Sequence, residues 1–239
     1  MTGRPFEPHP HADFSAVSYV FKDSQGSLRT RDSLGNDFIT GPGGIVWAQA
    51  GSGVIHEEFP AETGREMHGL QIFVNLSSKK KLASPQVFWL AKSEVPEWRN
   101  TVGDRVRVVV GSFEGVSSPL VPAEPFNLLD VELRSEISFG LHNAHNALVY
   151  VLTGGVLVST GGRNQNVEAE HAMALHGSGG RLMFESSRPA QLLILSGAEI
   201  REPVLVDGSF IMNEPSQIEA AFARYGTGGM GCLPPLSES

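Results

Sequence analysis

The chain has 239 residues, 41% hydrophobic and 18% charged, with a formal net charge of −8, which suits one large or two smaller soluble cores. That acidic balance excludes non-specific binding to nucleic acid or to an anionic membrane, because both need clustered positive charge. The single cysteine, Cys232, excludes an intrachain disulfide framework. No apolar run approaches the roughly 20 residues that span a bilayer, and the start of the chain lacks the apolar stretch of a signal peptide. With a lone thiol, this leads us to expect a cytoplasmic protein.

Met1–Pro10 carries Pro5, Pro8 and Pro10 and is not expected to be helical. Pro10 suits an edge strand or a bulge. Ala16–Phe21 alternates as a strand, Asp23–Gly26 reads as a turn, and Leu28–Asp32 returns. A second turn at Ser33–Asn36 and the Gly41-Pro42-Gly43-Gly44 corner lead to a strand over Ile45–Ala50. Gly51 and Gly53 then allow a sharp turn before His56. Leu70, Ile72, Val74 and Leu76 fall on one strand face, and His68 reads as structural. Lys79-Lys80-Lys81 follows two serines and reads as a solvated loop.

Val87–Leu90 and Val106–Val110 are expected strands, with a loop over Val95–Trp98 between them. Pro119–Pro122 reads as a linker. Phe126–Phe139 alternates as one half-buried strand. Ala147–Leu152 and Val156–Ser159, joined by Thr153-Gly154-Gly155, have the pattern of a hairpin. Ala172–Leu175, Arg181–Phe184 and Gln191–Leu195 are further short strands. His142, His145, His171 and His176 have no ligand spacing and read as loop or surface residues. One helix closes the chain. Asn213 is its expected cap, Ile218, Ala221, Phe222 and Tyr225 form its apolar stripe, and Gly226 stops it. The class is therefore all-β with a short C-terminal helix. The expected domains are 1–115, 116–212 and a helix and tail at 213–239.

The chemistry concentrates in two stretches, His9-Pro10-His11 and Gly51-Ser-Gly-Val-Ile-His56-Glu57-Glu58-Phe-Pro60. In a strand, residues i and i+2 share a face. His9 and His11 would then project together, as would His56 and Glu58, with Glu57 on the opposite face. Three imidazoles and one carboxylate suit a single divalent transition metal. The alternative is that both pairs are chance neighbours on solvated strand faces.

Several frames around these residues resemble the pirin family, bicupins of the cupin superfamily. They are His9-Pro10-His11-Ala-Asp-Phe14, Arg31-Asp-Ser-Leu-Gly-Asn36, Gly41-Pro-Gly-Gly44 with Trp47, Ala50-Gly-Ser-Gly-Val-Ile-His-Glu-Glu58, and His68-Gly-Leu-Gln71 with Val74-Asn-Leu76. Glu202-Pro-Val204 and Phe210-Ile-Met-Asn213 add to them. The resemblance implies two jelly-roll cupin barrels in tandem, with His9, His11, His56 and Glu58 as metal ligands in the first. It implies iron, as Fe(II), with Ni, Co, Mn, Cu or Zn as alternatives.

Some members cleave flavonols such as quercetin with O2. Others are described as transcriptional cofactors or partners of metabolic enzymes. A quercetinase-like dioxygenase with Glu58 as general base is the expected function, and a non-catalytic, redox-sensing regulator the alternative. Expected partners are an aromatic enol and O2, with no nucleic acid and no membrane. The chain departs from the family pattern at Ala12 and Ser15, which alter the pocket rim. Only eight residues precede His9, so the first barrel is expected to lack one or two strands, which leaves self-association or a protein partner open.

Overall fold

The computed structural model describes residues 7–177 and 179–236. The expectation for Met1–Pro10 therefore lies, for its first six residues, outside the described ones. The chain is all-β with one short helix, and it forms two compact units. The first runs to Glu94 and resumes from Ile200; the second is Val95–Glu199. This division differs from the expected boundary near 115. The glycines of Gly111–Gly115 serve a small hairpin, Ser112–Phe113 against Val116–Ser117, inside the second unit. Among the described residues no helix is long and apolar enough to cross a membrane.

The first unit holds β1 (His9–His11), β2 (Phe14–Val20), β3 (Leu28–Asp32), β4 (Asp37–Thr40), β5 (Ile45–Gln49), β6 (Val54–Pro60), β7 (Gly69–Asn75) and β8 (Gln86–Leu90). They form two four-stranded sheets, ordered β1-β6-β3-β4 and β7-β2-β5-β8. β1 is an end strand among the described residues, paired to β6 in the register His9↔His56 and His11↔Val54. The turn before β6 needs glycine. Gly51 has φ +51, and a Cβ there would lie 2.1 Å from the Ala83 carbonyl oxygen, so no other residue fits without moving backbone.

The segment from Ile200 folds back onto this barrel. A hairpin of Leu205–Asp207 and Phe210–Met212 precedes α1 (Pro215–Gly226). Phe210 bridges to Ala12 beside the His-Pro-His strand. Ala12, Phe210, Met212, Ile218, Ala221 and Met230 form one buried cluster with Ile55 against it. The cap of α1 is Glu214 rather than Asn213: Pro215 takes the first helical position, and the Asn213 amide donates to the Pro203 carbonyl at 2.7 Å. Only Ile218 and Ala221 of the expected stripe are buried; Phe222 and Tyr225 are exposed. Lys81 is not solvated. It is 1% exposed, and its Nζ donates to Asn75 Oδ1 at 2.7 Å, the Ile211 carbonyl at 2.7 Å and the Asp13 carbonyl at 3.1 Å. It thereby ties the returning segment to the barrel.

The second unit holds β9 (Glu97–Arg99), β10 (Arg105–Val110), β11 (Ser112–Phe113), β12 (Val116–Ser117), β13 (Phe126–Leu133), β14 (Glu136–Leu141), β15 (His145–Thr153), β16 (Gly155–Thr160), β17 (Arg163–Glu168), β18 (Ala172–Leu175), β19 (Gly180–Glu185) and β20 (Ala190–Ala198). A six-stranded sheet, β18-β15-β20-β13-β10-β9, faces a four-stranded one, β14-β19-β16-β17, across a Val- and Leu-rich core. Two expectations are corrected here. The Phe126–Phe139 run is two strands, because the buried Asp104 carboxylate accepts the Arg134 and Ser135 amides and fixes a turn. The Ala147–Ser159 stretch is no hairpin: β15 pairs with β18 and β20, and β16 with β17 and β19. Gly154, at φ +79, turns a corner between two sheets instead.

Candidate metal centre

The pairing of β1 with β6 sets His9, His11 and His56 side by side on the inner face of the first barrel. One ring nitrogen from each lies within 4.8 Å of the others. Ring centroids are 4.6–4.7 Å apart, and the Nε2 atoms of His9 and His11 are 3.2 Å apart. The other nitrogen of His9, Nδ1, is 2.8 Å from the Glu7 carbonyl. That carbonyl can only accept, so Nδ1 carries a hydrogen and Nε2 is the nitrogen that faces the cluster.

Two of the three imidazoles, His11 and His56, are held in the neutral form. His56 is 1% exposed; burial, then the neighbouring His11 and His9, holds it well below the ordinary histidine pKa. Burial and His9 bring His11 down to about 4, a backbone contact from Ser209 acting the other way. Neither ring nitrogen of His56 has a hydrogen-bond partner among the described residues. A buried polar atom without a partner is costly. A divalent ion bound by the three lone pairs would supply the missing contact, so the residues fit the metal that the donor set implies.

Glu58 and Glu57 part as strand parity predicts. Glu57 forms a buried ion pair with Arg31, whose other nitrogen donates to the Pro234 carbonyl at 2.8 Å. Glu58 lies on the histidine side but outside the cluster of three. Its carboxylate accepts from Ser18 Oγ at 2.6 Å, Gln71 Nε2 at 3.0 Å and Thr30 Oγ1 at 3.3 Å. Burial raises its pKa, and these three donors oppose the rise. It forms the polar wall of a cavity of about 210 Å³ lined mainly by apolar groups, Val20, Leu28, Pro60 and Met67 among them. Gln71, quoted only as the end of a family frame, and Phe73, not singled out at all, are two residues to which the sequence assigned no role, although β7 alternates plainly. Phe73 is 54% exposed while its ring sits 5.6 Å from that of His11 and 4.6 Å from that of Phe14.

The remaining histidines stand apart. His68 pairs with Asp23 at 3.0 Å on the surface. His142 and His145 face each other at 5.3 Å in the second unit, without a third ligand among the described residues. Ala12 and Ser15 are both buried. Between them Asp13 is fully buried at φ +76; burial lifts its pKa to about 7 against the pull of Arg224 and Lys81.

Comparison with known proteins decides the lineage. A family model described as Pirin matches residues 1–74, and one described as the Pirin C-terminal cupin domain matches residues 128–231. The chain belongs to the pirin family. Human Pirin is 32% identical over 229 residues, 93% of this chain and 77% of its own length. Among solved structures, a quercetin 2,3-dioxygenase from Acinetobacter baumannii superposes with a TM-score of 0.84 at 25% identity, covering 97% of this pirin and 81% of that chain. The Escherichia coli bacterial pirin YhhW, solved in complex with nickel(II), shares the fold with a TM-score of 0.64 at 17% identity, covering 83% and 79%. The family thus spans both units of this chain, with the three-histidine cluster in the first.

Proposed function

We propose that the first barrel binds one divalent transition metal through His9, His11 and His56, with Glu58 as the fourth ligand. The loaded centre is then a quercetinase-type dioxygenase acting on a flavonol-like enol. The observation that carries this is the approach of three imidazoles, two of them buried, to within 4.8 Å of one another. The likeness to the Acinetobacter dioxygenase supports the choice of reaction. Imidazole and carboxylate donors suit Fe(II), which we place ahead of Ni, Co, Mn, Cu and Zn. When bound, the metal supplies a Lewis acid that acidifies a coordinated hydroxyl and a site for O2 chemistry.

The protein's own groups do the rest. The apolar wall beside Glu58 excludes water from an aromatic ring. The exposed Phe73 ring offers a stacking face next to His11. Glu58, with a pKa raised by burial, accepts the enol proton on a carboxylate held in place by Ser18 and Gln71. The same reading places the protein in the cytoplasm, where the exposed Cys232 stays reduced.

The test is oxygen consumption by metal-replete protein across a panel of flavonols, with His56→Ala as the control. Uptake that His56→Ala abolishes supports the proposal. No uptake with any flavonol overturns the enzymatic reading and leaves a metal-binding regulator of a protein partner.

A further inference from the structure

The second unit carries a cavity of its own, of about 630 Å³. That lies within the roughly 300–1,000 Å³ typical of small-molecule sites. Its floor is the buried inner face of the second barrel: Leu141, Val158 and Leu182. Its mouth is polar. Along β17, Arg163, Gln165 and Val167 share one face by strand parity. Val167 is in the core, so Arg163 and Gln165 continue that inward face where the barrel opens. Thr160 sits opposite Arg163 in the register, and His176 completes the rim.

None of the described residues lining this cavity is acidic. Arg163 has no ion pair or side-chain hydrogen bond to any described residue. The chain does not lack carboxylates, with 26 Asp and Glu against 18 Lys and Arg. Two other surface arginines do pair with a carboxylate, Arg29 with Asp37 and Arg99 with Glu97. A guanidinium left open at the mouth of a cavity with an apolar floor is a fork that matches one carboxylate in two hydrogen bonds.

We propose that the second barrel is a binding site for a small organic carboxylate with an apolar body. The body rests on Leu141, Val158 and Leu182, and the carboxylate is held by Arg163 with Thr160 and His176 as further donors. The site is separate from the three histidines of the first barrel and needs no metal.

The test uses the full-length protein, isotopically labelled, titrated to millimolar concentrations with benzoate and, separately, with the neutral analogue benzamide. Benzoate is expected to shift amide resonances of residues 155–168 and 172–175. Benzamide should bind about tenfold more weakly, the loss of one charge-assisted contact, and Arg163→Gln should weaken benzoate by a similar factor. His56→Ala should leave the titration unchanged. The proposal is overturned if benzoate shifts nothing in those strands, if benzamide binds equally well, or if Arg163→Gln binds benzoate as the parent does. Because Arg163 is exposed, its replacement leaves the fold intact, and the benzamide comparison needs no variant at all.

Discussion

Glu57 and Glu58 are adjacent in sequence and opposite in role. Each forms contacts on its own face of β6: Glu57 with Arg31, Glu58 with Ser18, Thr30 and Gln71. Glu57→Ala strands a buried guanidinium and is expected to cost about 3–5 kcal/mol while leaving metal retention unchanged in protein that stays folded. Glu58→Gln keeps the shape and is expected to lose metal with little change in melting temperature. Thermal unfolding and metal content after gel filtration separate the two, and a reversed pattern would sink the proposed role of Glu58. This parity was legible in the sequence because His56-Glu57-Glu58 needs only the two-residue period of a strand. The role of Lys81 was not. Its acceptors include the carbonyls of Asp13 and Ile211, 68 and 130 positions away, and no local pattern announces such partners.

At the scale of elements, most strands of the first barrel were readable from alternation and glycine-rich turns. The errors fell where pairing partners are remote. Strong turn chemistry at Thr153-Gly154-Gly155 suggested a hairpin, yet it serves equally for a corner between sheets. Val95–Trp98 read as loop because β9, at three residues, is too short for a period to register. That strand matters for acid stability. Glu97 lies 2.8 Å from Arg99, 3.3 Å from Arg107 and 3.6 Å from Arg105. Burial acts to raise its pKa, but the Arg99 hydrogen bond and the charges of Arg105 and Arg99 outweigh it, and the net direction is down from 4.5. A carboxylate with a depressed folded pKa binds fewer protons folded than unfolded, so its contribution is present above the unfolded value and fades as pH falls below it. Glu97→Gln should therefore lower the melting temperature at pH 7. The difference from the parent should shrink as pH falls from about 5 toward 3, where the unfolded glutamate is protonated. An equal difference at both ends of that range would contradict this account.

At the scale of the molecule, the first unit is assembled from two stretches separated by the whole of the second. The sequence reading placed a boundary at 115 and treated residues from 213 as a tail, since linear patterning reveals where an element lies but not what it covers. A fragment of residues 1–115 would lack Phe210, Met212, Ile218 and Ala221, the buried groups packed beside Ala12 and Ile55. It would also lack the Ile211 carbonyl that receives Lys81. Removing several such side chains exceeds the 2–5 kcal/mol typical of one large core truncation, comparable to a whole domain's stability of about 5–15 kcal/mol. The fragment is expected to show collapsed amide dispersion and no cooperative melt, whereas the full chain melts cooperatively.

The split assembly also orders events at the ribosome. The His-Pro-His strand emerges before the segment that braces it, which follows only after the 105 residues of Val95–Glu199. At translation speeds of about 5–20 residues per second, that interval is on the order of 5–20 s. During it β1 would lack the Phe210 bridge at Ala12 and the buried cluster that the later segment completes. On the proposed metal-binding reading, that interval is when the identity of the available ion would bear on which metal the three histidines take.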